Sequence, residues 1–214
     1  MTAMILAAGL GSRMRPLTDH KPKPLLEIGK KPLIVWHIER LRDAGFKTMV
    51  INVAYLGQQI IDYLGDGSKY GVEITFSDEQ SEGALETAGG IVKALPLLSD
   101  TFLVVNGDVW TDYRYDSSFK LAQNSLAHLV LIDNPEHNPN GDFFLAGSEQ
   151  KYTFSGIGYY SKEMFSDLTY GKQGLAPLLF KAIDTKKLTT EHYIGQWYDI
   201  GTPERLDSLN SLLK

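Results

Sequence analysis

Residues 3–18 read AMILAAGLGSRMRPLT, a short apolar run from Ala3 to Ala8 that empties into Gly9-Leu10-Gly11-Ser12-Arg13. Met4 to Ala8 has the length and unbroken apolar character of a buried strand. Glycines directly behind it let the backbone approach a ligand without a Cβ in the way, and the freed N–H groups form a concavity suited to phosphate. Two common phosphate patterns fail here. GxxxxGK[ST] is absent, and GxGxxG starts at Gly9 and Gly11 but meets Met14 at the third glycine. The second strand also ends at Asn52, where a ribose-binding acid would be expected. A lone GxG is equally compatible with a tight turn. The next residues separate the two readings. Arg13 and Arg15 supply planar forks for phosphate oxygens, and Pro16 restricts the turn. Lys23 stands between Pro22 and Pro24, where the backbone has few conformations and its ammonium is presented rather than left to wander. The combination points to a nucleoside triphosphate, with Lys23 aimed at the phosphate that reacts.

Outward from this stretch, apolar β-rich runs alternate with helical patterns. Pro32 starts a helix through Leu33, Ile34, Trp36, His37 and Leu41, stopped by Gly45. Thr48–Val53 reads as a strand, Leu56–Leu64 as a helix, Val72–Phe76 as a strand, Glu86–Leu95 as a helix and Phe102–Asn106 as a strand. Strands apolar on both faces, alternating with helices, imply an α/β fold: a Rossmann-like, doubly wound, mostly parallel sheet. The second half is less regular. Leu126–Ile132 reads as a strand, Asp142–Tyr160 as β-structure turning near Gly147, Leu175–Ala182 as a helix and Trp197–Ile200 as a short strand. Thr202-Pro203 caps a last helix. A single domain over 1–214 is expected, with a nucleotide-binding half to about residue 125.

The chain has 214 residues, 43% hydrophobic, with net charge −5. An acidic chain of this kind is not expected to bind nucleic acid or an anionic membrane, so any anion is held locally. There are no cysteines, which excludes disulfides and thiolate metal sites. No apolar stretch approaches the roughly 18 residues of a membrane span, and a cytoplasmic location is expected. None of the five histidines has metal-ligand spacing, and no GxSxG elbow supports hydrolase chemistry. Asp108 closes the strand FLVVNGD at the carboxyl edge of the sheet, and Asp199 lies in WYDIG just after another strand. Two carboxylates meeting over a triphosphate suit Mg²⁺, whose octahedron phosphate oxygens and water complete. The loop Asp78–Gly83 is the expected reader of the base, through Gln80 and Glu79, with Gly83 allowing close approach.

Gly9-Leu10-Gly11-Ser12-Arg13-Met14-Arg15-Pro16-Leu17-Thr18 and Pro22-Lys23-Pro24-Leu25 together resemble the signature of sugar-1-phosphate nucleotidyltransferases. The likeness continues at Leu85–Gly90, Val105–Asp108 and Asp199–Pro203. It implies a nucleotidyltransferase fold of the GT-A-like kind with a small β-rich sugar-binding part over about 126–214. It also implies nucleotide contacts from Ala8, Gly9, Gly11, Ser12, Arg13, Lys23, Gln80 and Gly83, and sugar contacts from Asn106, Asp142 and Gly156. Asp108 and Asp199 would hold Mg²⁺, with Arg13, Lys23 and Asp108 carrying catalysis. Partners would be a nucleoside triphosphate and a sugar 1-phosphate, with the protein a monomer or small homo-oligomer. Stretches at 105–113, 127–135 and 153–156 look most like compact members using UTP and N-acetylmuramic acid 1-phosphate in peptidoglycan recycling. Mannose or glucose 1-phosphate transfer is the alternative, and a nucleotide-sugar sensor the non-enzymatic one. The Glu-Lys-Pro whose lysine meets the sugar phosphate in thymidylyltransferase-like members is missing, so that cation is left unassigned.

Overall fold

In the computed structural model, which describes residues 1–213, the first strand, β1, spans Thr2–Leu6. Its expected carboxyl end at Ala8 moves back, because Ala7 and Ala8 leave the ladder to begin the glycine loop. Two short strands follow, β2 (Glu27–Ile28) and β3 (Lys31–Pro32), then α1 (Leu33–Asp43), β4 (Thr48–Val53) and α2 (Gly57–Leu64). Next come β5 (Glu73–Asp78), α3 (Glu86–Ala94), β6 (Thr101–Asn106), β7 (Val109–Thr111) and β8 (Ala127–Ile132). The chain closes through β9 (Phe143–Phe144), β10 (Lys151–Ser161), α4 (Ala176–Asp184), β11 (Leu188–His192), β12 (Trp197–Asp199) and α5 (Pro203–Leu212).

The main sheet has the order β11-β8-β10-β6-β1-β4-β5, with β9 on β10. β1 runs parallel to both β4 and β6, and β4 to β5, as the alternating sequence implies. β10 is antiparallel to β6 and β8, which makes the sheet mixed. From β1 the chain winds one way to β4 and β5, then returns to place β6 on the other side. The gap between the carboxyl ends of β1 and β6 is therefore the switch point at which open α/β sheets leave a crevice. Alternate residues of β1 go to opposite faces. Ala3 and Ile5 pack with Ile34, Ile38 and Ile51, whereas Met4 packs with Val50, Ile91 and Val104. Burial on both faces accounts for the continuous apolar strands.

Several elements were not anticipated, the short strand β7 among them. The Glu27–Pro32 hairpin is too short to leave a periodic signal. β11, LTTEH, is a half-buried edge strand without apolar alternation. The expected β-region Asp142–Tyr160 resolves into β9, a turn and β10. A bulge between Phe154 and Ile157 shifts the register of β10 against β8.

The helix α3 carries Gly89 and Gly90 in its interior, where glycine costs about 1 kcal/mol against alanine. Tertiary contacts explain both. A Cβ on Gly89 would overlap the carbonyl oxygen of Gly171. That segment is tied to α3 by Gly89 N–H donating to the Gln173 carbonyl and Gln173 N–H to the Leu85 carbonyl, both at 3.0 Å. Gly89→Ala is expected to lower stability by about 1–3 kcal/mol despite the better helix former, read as a lower Tm; an unchanged or raised Tm would refute the steric account.

Candidate active site

A cavity of about 450 Å³ opens at the β1/β6 switch point, walled by residues 6–14, Lys23, Asn52, Asn106–Asp108, the start of α3 and Gly201. Ala8, Gly9, Gly11, Ser12, Arg13 and Lys23 of the expected nucleotide set all line it. Gly11 has φ +62, a left-handed conformation that favours glycine. Its carbonyl accepts a hydrogen bond from the buried Thr18 hydroxyl at 2.8 Å. A Cβ there would crowd Thr18 Cγ2 at 3.1 Å and Lys23 Cβ at 3.3 Å. Met14, which broke the dinucleotide pattern, is fully buried with Leu26, Leu33, Trp110, Ile200 and Leu206. The loop is thus anchored by packing where a third glycine would have allowed helix approach. Arg13 is exposed on the cavity wall, whereas Arg15 lies outside it, paired with Asp19 at 3.4 Å.

Lys23 Nζ sits 2.9 Å from Asp108 Oδ2, the lysine side chain 10% exposed and the aspartate 40%. Gly107 makes this meeting possible. Its N–H donates to the Leu6 carbonyl at 2.9 Å, and a Cβ would overlap that same carbonyl. Asp108 is joined to the last strand, since its carbonyl accepts from Ile200 N–H at 2.9 Å and Asp199 pairs with Val109 across β7 and β12. Asp199 Oδ2 is ion-paired with Arg205 Nη1 and lies 3.4 Å from His137 Nε2. Asp199 itself does not line the cavity, but its neighbour Gly201 does.

Among the described residues no group of three or more His, Cys, Asp or Glu side chains is placed to hold a metal ion by itself. The two aspartates suit a hard divalent cation that arrives with phosphate oxygens, since such ions need only one or two protein carboxylates. Each carboxylate already accommodates a cation, Lys23 at Asp108 and Arg205 at Asp199.

On the base side the structure departs from expectation. Glu79 is fully buried rather than turned toward a ligand edge. Its Oε1 accepts from Asn52 Nδ2 at 2.8 Å and its Oε2 from Leu85 N–H at 2.9 Å. Asn52 Oδ1 in turn accepts from Ala7 N–H at 2.8 Å. This strut ties the glycine loop to the 79–85 loop, and Gly90 leaves room for it: a Cβ there would lie 2.8 Å from Glu79 Oε1. Gln80 and Gly83 are exposed and lie outside the cavity wall. Gln80 accepts from Gln58 N–H at 3.2 Å and packs on Gly57. Glu79, Ala84, Glu86 and Thr87 occupy this side of the wall, with Glu86 at φ +62.

On the sugar side Asn106 lines the cavity. Gly156, in the β10 bulge with φ +80, lies against it; a Cβ would stand 2.6 Å from Asn106 Nδ2. Asp142 is outside the wall, its two carboxylate oxygens accepting from Asn138 Nδ2 at 3.1 Å and Phe154 N–H at 2.8 Å. Sequence reasoning missed Asn52, Thr18 and Arg205. A polar Asn ending the apolar strand TMVINV was the available signal for the first, and the place of Thr18 at the end of the signature stretch that for the second; for Arg205 there was none.

Behind Asp108, His37 is buried and its pKa is lowered to about 4, chiefly by desolvation, with the Asp108 charge opposing. The folded protein therefore holds His37 neutral while the unfolded chain protonates it below pH 6.5. Stability from this group is complete above pH 6.5 and is lost as pH falls toward 4. The loss is expected to reach at most about 3 kcal/mol. Urea denaturation of the parent and of His37→Gln across this window checks it; equal slopes with pH would refute it.

A family described as nucleotidyl transferase matches residues 2–143. The N-acetylmuramate alpha-1-phosphate uridylyltransferase of Neisseria meningitidis is 49% identical, the alignment covering 99% of this chain and 98% of that protein. The protein of the same name from Caulobacter vibrioides is 31% identical over 94% of this chain and 92% of its own length. Among solved structures, a CTP:phosphocholine cytidylyltransferase from Streptococcus pneumoniae superposes with a TM-score of 0.76 at 24% identity, covering 100% of this chain and 99% of that one, a likeness of fold.

Proposed function

The chain belongs to the nucleotidyl transferase family, and from that premise we propose that it transfers the uridylyl group of UTP to N-acetylmuramic acid 1-phosphate. The products are the UDP-sugar and pyrophosphate, and the setting is cytoplasmic peptidoglycan recycling. The observation that carries the acceptor is identity of 49% over 99% of the chain to the Neisseria enzyme of that name. In the described residues no helix is long and apolar enough to cross a membrane. Residues 1–125 would form the nucleotide half and 126–214 the sugar half of one domain.

A sugar-phosphate oxygen attacks the α-phosphorus of UTP, the new P–O bond forms in line, and the α–β bridging bond breaks to release pyrophosphate. The attacking oxygen is already anionic, so no general base is needed, and catalysis reduces to positioning and charge neutralisation. The amides of the Gly9–Gly11 loop and Arg13 hold the β- and γ-phosphates. Lys23 neutralises charge at the α-phosphate. Asn106 and Asp142 orient the sugar, with Gly156 leaving it space, and Gln80 and Gly83 contact the uracil. Asp108 and Asp199 hold Mg²⁺, which when bound neutralises phosphate charge as a Lewis acid.

Mixing the protein with UTP, Mg²⁺ and N-acetylmuramic acid 1-phosphate should release pyrophosphate, with EDTA abolishing it. Faster release with mannose or glucose 1-phosphate would replace the acceptor. No release with any nucleotide and sugar 1-phosphate would make the chain a sensor.

A further inference from the structure

We propose that Arg205 is the cation that receives the phosphate of the sugar 1-phosphate; this rests on the nucleotidyl-transfer reading. The incoming sugar phosphate is an anion that must be brought against a triphosphate. The only Lys or Arg side chains among the described residues of the cavity wall are Arg13 and Lys23, and both belong to the triphosphate side. The residues expected to contact the sugar, Asn106, Asp142 and Gly156, carry no positive charge.

Arg205 stands in the first turn of α5, which Thr202 caps. Its guanidinium is paired with Asp199, and its side chain is 31% exposed. Gly201 forms part of the cavity wall, and a Cβ on it would lie 2.9 Å from Arg205 Nη1 and 3.0 Å from Asp199 Oδ2. The guanidinium and the carboxylate therefore meet just behind the cavity wall, separated from it by a residue with no side chain. The arrangement mirrors Lys23 on Asp108, so each metal-suited carboxylate carries its own cation in the free protein. With Asp199 engaged by metal, Arg205 would be released from it, and its planar fork would match a terminal phosphate in two-pronged fashion. The second substrate thus meets a positive charge only after the metal has been loaded.

Arg205→Ala and Arg205→Lys test this against the parent. Calorimetry would measure N-acetylmuramic acid 1-phosphate and glucose 1-phosphate binding to protein loaded with Mg²⁺ and α,β-methylene-UTP. Electron paramagnetic resonance would measure Mn²⁺ binding to the free protein. Arg205→Ala is expected to weaken sugar-phosphate binding about 30-fold, as loss of a charge-assisted contact implies, with UTP-analogue affinity within about twofold. Arg205→Lys should recover part of the loss. Mn²⁺ should bind the Ala variant as tightly as the parent or tighter, because a competitor for Asp199 is gone. Sugar-phosphate binding within about threefold of the parent would overturn the proposal. So would Mn²⁺ affinity falling in step, since Arg205 would then merely steady Asp199. If the Ala variant fails to fold, the Lys variant decides, parent-like binding overturning the proposal and a several-fold loss supporting it. A parent that binds sugar phosphate but never releases pyrophosphate sinks the nucleotidyl-transfer reading alone; a parent that binds neither sugar phosphate sinks both.

Discussion

Replacing Lys23 by alanine is expected to lower turnover by at least about two orders of magnitude while leaving the fold intact, the range found when one preorganised charge donor is removed from a transition state. The ammonium lies 2.9 Å from Asp108, on a side chain 10% exposed, at the inner wall of the cavity. Pro22 and Pro24 hold its backbone, so little entropy is lost in presenting it. Asp108 keeps 40% of its side chain exposed, so the unpaired carboxylate left in Lys23→Ala is solvated and stability changes little. Asp108→Asn should lose turnover to a similar degree, through loss of a metal-holding oxygen rather than of a cation. Steady-state pyrophosphate release, with circular dichroism to confirm folding, measures both. Near-normal turnover in either would remove that residue from the chemistry.

Truncating Glu79 to alanine is expected to cost about 3–5 kcal/mol, a large share of a typical domain's stability. The carboxyl group is fully buried and accepts from both Asn52 Nδ2 and Leu85 N–H. Its removal leaves two buried donors unpaired and a void beside Gly90. Because Asn52 also holds Ala7 N–H, the glycine loop and the 79–85 loop loosen together. UTP binding should therefore weaken more than sugar-phosphate binding does. Chemical denaturation and separate substrate affinities read the two effects. A stability loss under about 1 kcal/mol would mean that the strut carries no weight.

Several elements could be read directly from the chain. β1, β4 and β6 announced themselves as apolar runs because a doubly covered strand must be apolar on both faces. Thr202-Pro203 marked the start of α5, since both residues act through the local backbone. β11 escaped because an edge strand can remain polar. The bonds of Glu79 to Asn52 and Leu85 N–H were hidden for a related reason: a polar residue after a strand looks the same in sequence whether it meets a ligand or a buried amide. Ala8, Gly9, Gly11, Ser12, Arg13 and Lys23 fall on one cavity because they are close in sequence. Gln80 and Gly83 sit beyond its wall because the path of the 79–85 loop is set by Glu79, not by the loop itself.

By itself, then, the order of residues determined the alternation of strands and helices, the glycine loop at the first strand's end and the lysine held between prolines. Each of those rests on forces acting over a few neighbouring residues. Only the tertiary structure decided that Arg205 would pair with Asp199, that Asn52 would clasp Ala7, and that two helical glycines would make room for Gly171 and Glu79. Those outcomes depend on strand order and close packing between segments far apart in the chain, a distance at which local preference carries no information.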